Sequence, residues 1–235
     1  MGQQRNLNTL IIMLYEIFDH MHLSSDEAVR EMLPLVSEQR RQQALRYQHT
    51  FGQFCCLKSY LMLLELLAAV YPELDKAKPE FGYTEKGKPF LLDRPDIHFS
   101  ISHTKNAILV AIADAPIGVD IEAFRSPSAA LIARTMNATE QAAIAASAAS
   151  AASAASAATL EPSGTPQASG TPEALFSAIW TRKEAVLKLR GTGIEGDLRE
   201  VLSGSETILT RIFPRKGYAF SIAQQAISPF ESFPC

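Results

Sequence analysis

From Phe51 to Val70 almost every position is apolar, and a little further on the spacing of apolar residues changes from helical to strand-like. A helix with no polar side has to be covered all round, so this stretch is expected at the centre of the first half of the chain. Ile97, Phe99 and Ile101 then alternate with His98, Ser100 and Ser102, the period of a half-buried strand. His103-Thr104-Lys105-Asn106 makes a turn, Ala107 to Ala113 returns, Asp114-Ala115-Pro116 turns again, and Ile117 to Glu122 follows as a third strand. Turns this short leave no room for crossover helices, so an antiparallel meander is expected. Helices and strands in separate runs point to an α+β fold.

Other elements follow from local signals. A buried strand is expected from about Ile12 to Phe18, behind a loose extension. Ser24 and Glu27 have capping-box spacing for a short helix ending near Pro34, and Ser37 can cap another that carries Arg40, Arg41 and Arg46. Lys86-Gly87-Lys88-Pro89 reads as a turn within Tyr83 to Phe90. Thr171-Pro172-Glu173 is a helix start and Gly191 its stop. The last elements read as a hairpin, Thr207 to Phe213 and Tyr218 to Gln224, joined through Arg215-Lys216-Gly217. Phe99-Ser100-Ile101 recurs as Phe220-Ser221-Ile222, an echo that fits two related lobes.

Residues 141–171 differ in character. Ser147, Ser150, Ser153 and Ser156 sit at every third position in alanine, followed by two Ser-Gly-Thr-Pro runs. Alanine favours helix, but a period of three offers no apolar stripe to bury. The segment reads as a low-complexity surface insertion, helical in its first part and a flexible linker in its second.

Composition removes several function classes. The 235 residues carry a net charge of −3 and no long Lys/Arg run, so bulk attraction to nucleic acid is not expected. Lys58 and Glu65 interrupt the Phe51–Val70 stretch, which reads as falling short of a membrane span. The Leu10–Leu14 run makes a poor signal peptide. Cys55, Cys56 and Cys235 form neither a metal-ligand spacing nor an even-numbered disulfide framework. A soluble cytoplasmic protein is expected.

The chemistry-bearing residues lie in two segments. In Gly118-Val119-Asp120-Ile121-Glu122, side chains two apart share a face, so Gly118, Asp120 and Glu122 point one way while Val119 and Ile121 are buried the other way. Gly118 is expected to leave open space for a ligand beside Asp120. In Trp180-Thr181-Arg182-Lys183-Glu184-Ala185-Val186-Leu187-Lys188, a helix puts Trp180, Glu184 and Lys188 on one stripe and turns Lys183 elsewhere. A solvated helical ion pair worth about 0.3–0.5 kcal/mol would account for Glu184 and Lys188 by themselves. Trp180, the chain's only tryptophan, argues instead that this stripe faces inward. Two carboxylates from the strand and one from the helix would make an all-oxygen site suited to Mg²⁺, or Mn²⁺ in its place, rather than Zn²⁺.

These motifs resemble those of the Sfp-type 4′-phosphopantetheinyl transferases. Gly118, Asp120 and Glu122 match Gly-x-Asp-x-Glu, and Trp180, Thr181, Lys183, Glu184, Ala185 and Lys188 match Trp-Ser/Thr-x-Lys-Glu-Ala/Ser-x-x-Lys. Ser102-His103 and Gly87-Lys88-Pro89 stand where the family has Ser-His and Gly-Lys-Pro. The resemblance implies transfer of the 4′-phosphopantetheine arm of coenzyme A to a serine of an acyl or peptidyl carrier protein, with release of 3′,5′-ADP. It implies Asp120, Glu122 and Glu184 as Mg²⁺ ligands, with Glu184 also a candidate base and Lys188 steadying phosphate oxygens. Arg40, Lys88, Pro89, Ser102 and His103 would hold coenzyme A, His103 at the 3′-phosphate. Cys55 and Cys56 occupy positions where many members carry a basic and then a polar residue, leaving Lys58 or Arg46 to substitute.

The expected architecture is two similar lobes, 1–113 and 114–235, related by a pseudo-twofold axis. Each would be a long helix on a small, mainly antiparallel sheet, with the active site in the cleft between them. One chain supplies both lobes, so a monomer is expected. The rivals are a metal-dependent phosphohydrolase and a non-catalytic module that binds coenzyme A or a carrier protein.

Overall fold

Helices and antiparallel strands alternate in blocks in the computed structural model, which describes residues 13–74, 78–158, 170–193 and 196–225. The first half comprises β1 (Met13–Phe18), α1 (Asp26–Met32), α2 (Glu38–Leu45), α3 (Thr50–Val70), β2 (Phe81–Tyr83), β3 (Pro89–Leu91), β4 (His98–His103) and β5 (Ile108–Ala113). The second comprises β6 (Ile117–Ala123), α4 (Ala129–Thr135), α5 (Ala138–Ala158), α6 (Pro172–Arg190), β7 (Thr207–Phe213) and β8 (Tyr218–Gln224). The described chain is thus α+β, with every strand pair antiparallel.

The expected meander breaks after β5. One sheet has the order β1-β5-β4, while β6 joins a second sheet of order β6-β8-β7. Burial explains the break. All six residues of β5 are buried, which requires cover on both faces. Ile108, Val110 and Ile112 face the core around α3, and Leu109, Ala111 and Ala113 pack on Val119, Ile121, Phe220 and Ile222 of the second sheet. The layers therefore run α3, first sheet, second sheet, α6. The Phe-Ser-Ile echo falls on β4, at an edge, and on β8, at a centre, so it does not mark equivalent positions.

Where β6 passes β4, side chains replace a backbone ladder. The N–H groups of Val119, Ile121 and Ala123 donate to the hydroxyls of Ser100 (3.0 Å), Ser102 (3.3 Å) and Thr104 (3.2 Å). The polar alternation on β4 thus satisfies backbone donors on the edge of β6 that would otherwise be buried without partners.

Several local expectations are corrected. The cap of α1 is Ser25, whose Oγ accepts from Ala28 N–H, because Ser24 closes a preceding 3-10 turn. Helix α3 buries a broad face, including Phe54, Leu57, Tyr60, Leu63 and Leu67, but leaves Phe51 and Glu65 exposed. By length and composition α3 could cross a bilayer, contrary to the sequence reading. In this fold it is a core helix, each large apolar side chain contributing about 1.5–3 kcal/mol. The alanine-rich segment forms α5 from Ala138 and does bury an anchor, Ile144, against Met136, Phe176 and Ile179. The linker part, 161–169, and the chain before Met13 lie outside the described residues.

Candidate active site

Helix α6 is well specified. Thr171 Oγ1 accepts from Ala174 N–H, Pro172 opens the first turn, and Gly191 ends the helix at φ 68°. Its inner face packs on β6 and β8. The closeness of that packing depends on Gly118. A Cβ there would overlap the carbonyl oxygen of Ala185 and the backbone of Leu189. The space expected to be open for a ligand is therefore filled by helix backbone, and Gly118 acts by letting α6 reach β6.

That approach brings the two motifs together at Asp120, which is 5% exposed. Lys188 Nζ donates to Asp120 Oδ1 at 2.7 Å and to Ser102 Oγ at 3.0 Å. Ser102 Oγ donates to the same Oδ1 at 2.8 Å. Lys188 is thus paired with Asp120 rather than forming a surface pair with Glu184. Asp120 Oδ2 is buried and accepts no hydrogen bond.

Glu122 and Glu184 flank this centre, both half-buried. Burial pushes the Glu122 carboxyl above the ordinary range and the Asp120 charge adds to the rise, while Arg125, Lys188 and a hydrogen bond from Trp180 oppose it. Glu184 is raised by burial, then by Asp120, with Lys188 opposing. Trp180 stacks on Phe176, and Arg125 lies 5.8 Å from the Trp180 ring. His103 ends β4; desolvation by the surrounding protein, then the Lys188 charge, holds its imidazole below the usual value.

A pocket of about 250 Å³ opens beside these groups, lined by Lys88, Pro89, Ile101, Glu184, Leu187 and Lys188 among others. Small-molecule sites usually span about 300–1,000 Å³, so this pocket suits part of a large ligand rather than all of it. Lys88 lines it, but its ammonium donates to the carbonyls of Leu189 (2.9 Å) and Ile117 (3.4 Å), and burial lowers its pKa. It ties the end of α6 to the start of β6 as well as facing the pocket. Arg40 is elsewhere. It is buried between α2 and α3, its guanidinium 4.4 Å from the Phe81 ring and 5.1 Å from that of Tyr60, with Nη1 donating to Cys56 Sγ at 3.6 Å.

The structure brings Ser102, His103, Asp120, Glu122, Glu184 and Lys188 into one neighbourhood, with Lys88 and Pro89 at its margin. Among the described residues, no three His, Cys, Asp or Glu side chains are arranged as a ready metal cage. The feature that fits a hard cation is the buried, unsatisfied Oδ2 of Asp120, whose carboxylate is near enough to raise the pKa of both Glu122 and Glu184.

Two neighbours, Glu140 and Arg125, were missed from sequence. Lys183, only 1% exposed, donates to Glu140 Oε2 (2.6 Å) and to the carbonyls of Thr135 (2.8 Å) and Leu198 (2.9 Å). Glu140 also closes a capping box with Asn137 at the start of α5. The Asn-x-x-Glu spacing was a readable signal. Nothing local marks Arg125.

The profile of the 4′-phosphopantetheinyl transferase superfamily matches residues 116–212. A 4′-phosphopantetheinyl transferase of Bacillus subtilis is 27% identical over 181 residues, covering 77% of this chain and 71% of that protein. The 4′-phosphopantetheinyl transferase Sfp of Bacillus subtilis strain 168 is 26% identical over the same shares. The 4′-phosphopantetheinyl transferase ffp of Bacillus subtilis is 31% identical over 127 residues, 54% of this chain and 56% of that one. The resemblance to the Sfp-type transferases read from the sequence is borne out.

Proposed function

We propose that this chain, a relative of the Sfp-type transferases, moves the 4′-phosphopantetheine arm of coenzyme A to a serine hydroxyl of an acyl or peptidyl carrier protein. The observation that carries the reading is the convergence on Asp120. Two motifs distant in sequence meet there, and one buried carboxylate oxygen is left without a donor.

The serine oxygen forms a bond to the β-phosphorus of the diphosphate, the bond from that phosphorus to the bridging oxygen breaks, and 3′,5′-ADP leaves. Glu184, with its raised pKa, accepts the serine proton. Lys188 steadies phosphate oxygens through its ammonium, already held by Asp120 and Ser102. Asp120, Glu122 and Glu184 would hold Mg²⁺, which when bound would supply positive charge against the diphosphate. Trp180 and Arg125 orient Glu122. Lys88 and Pro89 border the nucleotide, and His103 contacts the 3′-phosphate. Arg40 would reach coenzyme A only by leaving its place on Phe81 and Tyr60.

The two-lobe description belongs to the same proposal, with residues 1–113 and 114–235 as the units and coenzyme A in the cleft between them. It is supported by repeated element order. Strand β1, helix α3 and hairpin β4–β5 give the sheet order β1-β5-β4; strand β6, helix α6 and hairpin β7–β8 give β6-β8-β7. One chain supplies every residue named, so the protein works as a monomer.

The test is mass spectrometry of several apo-carrier proteins after incubation with the chain, coenzyme A and Mg²⁺. Gain of one phosphopantetheine arm is the expected result. Release of 3′,5′-ADP with no carrier protein present would point to a phosphohydrolase instead.

A further inference from the structure

We propose that Ser102 is a positioning residue, whose hydroxyl holds Asp120 by one oxygen so that the other faces a divalent cation. This rests on the transferase reading above and replaces the coenzyme A contact that the family resemblance assigns to Ser102.

The argument begins with the hydroxyl itself. It has one proton to donate and two lone pairs to accept with. Ile121 N–H (3.3 Å) and Lys188 Nζ (3.0 Å) both donate to Ser102 Oγ, and neither can accept. The lone pairs are therefore filled, and the hydroxyl proton has one acceptor left, Asp120 Oδ1 at 2.8 Å. Its orientation is fixed by its neighbours.

The carboxylate is fixed in turn. Oδ1 accepts from both Ser102 and Lys188. Its position is thus set from β4 and from α6 at once, and Oδ2 is left buried with no donor. A buried carboxylate oxygen without a partner is costly, and here the cost is confined to one atom. An oxygen-ligated cation would remove it. Ser102 itself is 7% exposed, behind Asp120 rather than at a ligand surface. Groups that orient a metal ligand commonly tune affinity without touching the metal.

Loss of the hydroxyl also removes an acceptor from the seam between β4 and β6, and the neighbouring Thr104 isolates that effect. Its Oγ1 accepts from Ala123 N–H at 3.2 Å in the same ladder, with no bond to Asp120. Thr104→Val is therefore the matched seam variant.

The experiment follows free Mn²⁺ by electron paramagnetic resonance, titrated against the full chain with coenzyme A present and carrier protein absent. Coenzyme A binding is measured separately in EDTA. Ser102→Ala is expected to weaken Mn²⁺ binding by about 10–100-fold, with Ser102→Thr and Thr104→Val close to wild type and coenzyme A affinity in EDTA unchanged. Three results overturn the proposal alone: Mn²⁺ affinity of Ser102→Ala within about threefold of wild type, an equal loss in Thr104→Val, or an equal loss of coenzyme A affinity in EDTA. If wild type binds no Mn²⁺, or Asp120→Asn binds it as well as wild type, the metal assignment falls too.

Discussion

Gly118 lies against the carbonyl oxygen of Ala185, so close that even a methyl group at position 118 would overlap helix backbone. Backbone cannot swing aside as a side chain can. Gly118→Ala should therefore push α6 away from β6 and destabilise the fold by about 1–3 kcal/mol. Glu184 and Lys188 would move with the helix, so transfer should fall further than stability does. Urea denaturation alongside a transfer assay checks this. Wild-type stability and turnover in Gly118→Ala would mean that the close approach is unimportant.

Lys183 makes a separate prediction about stability. Its ammonium is buried and bound to Glu140 and to two carbonyls. Breaking a buried pair from one side leaves an uncompensated charge, at a cost of about 3–5 kcal/mol. Lys183→Met should lose stability on that scale, and Lys183→Met with Glu140→Gln should recover part of it. A double-mutant cycle by chemical denaturation reads the coupling. Strictly additive losses would show that the pair acts independently.

The raised pKa of Glu184 has a definite sign. Its folded carboxyl takes up a proton more readily than the unfolded one, whose value is near 4.5. Across the window from about that pH upward to the folded value, the folded state binds more protons, so stability contributed by this group falls as pH rises. In EDTA, wild type should lose stability relative to Glu184→Gln as pH increases through this window. Added Mg²⁺ should stabilise wild type more at the upper end, because its ligands must be deprotonated. Denaturation midpoints at a series of pH values, with EDTA or Mg²⁺, measure both effects. Parallel curves for the two proteins would contradict the shift.

Trp180 supplies an optical probe. It is the only tryptophan, and its indole N–H donates to Glu122. Mn²⁺ is paramagnetic, so binding at Asp120 and Glu122 should quench its fluorescence saturably. The quench should be lost in Asp120→Asn. An equal quench in that variant would put the ion elsewhere.

Much of the fold was legible because its elements carry their own start and stop signals. Thr171, Pro172 and Gly191 bounded α6, and Gly217 at φ 70° closes the final hairpin as its position suggested. The pairing of strands was less legible. The turn after β5 resembles the turn before it, and only burial of β5 on both faces shows why β6 departs to a second sheet. At the candidate site, the period of two gave the common face of Asp120 and Glu122. It could not say that Gly118 admits a helix rather than a ligand, since both uses require the same missing side chain. Arg40 was placed by resemblance alone, and its burial on Phe81 and Tyr60 depends on contacts that no local pattern encodes.

The most direct measurement is mass spectrometry of an apo-carrier protein incubated with coenzyme A, Mg²⁺ and either wild type or Asp120→Ala, with both proteins shown to be folded. The account predicts one phosphopantetheine arm on the carrier serine with wild type and almost none with the variant. An equally modified carrier in both reactions would contradict the role given to Asp120.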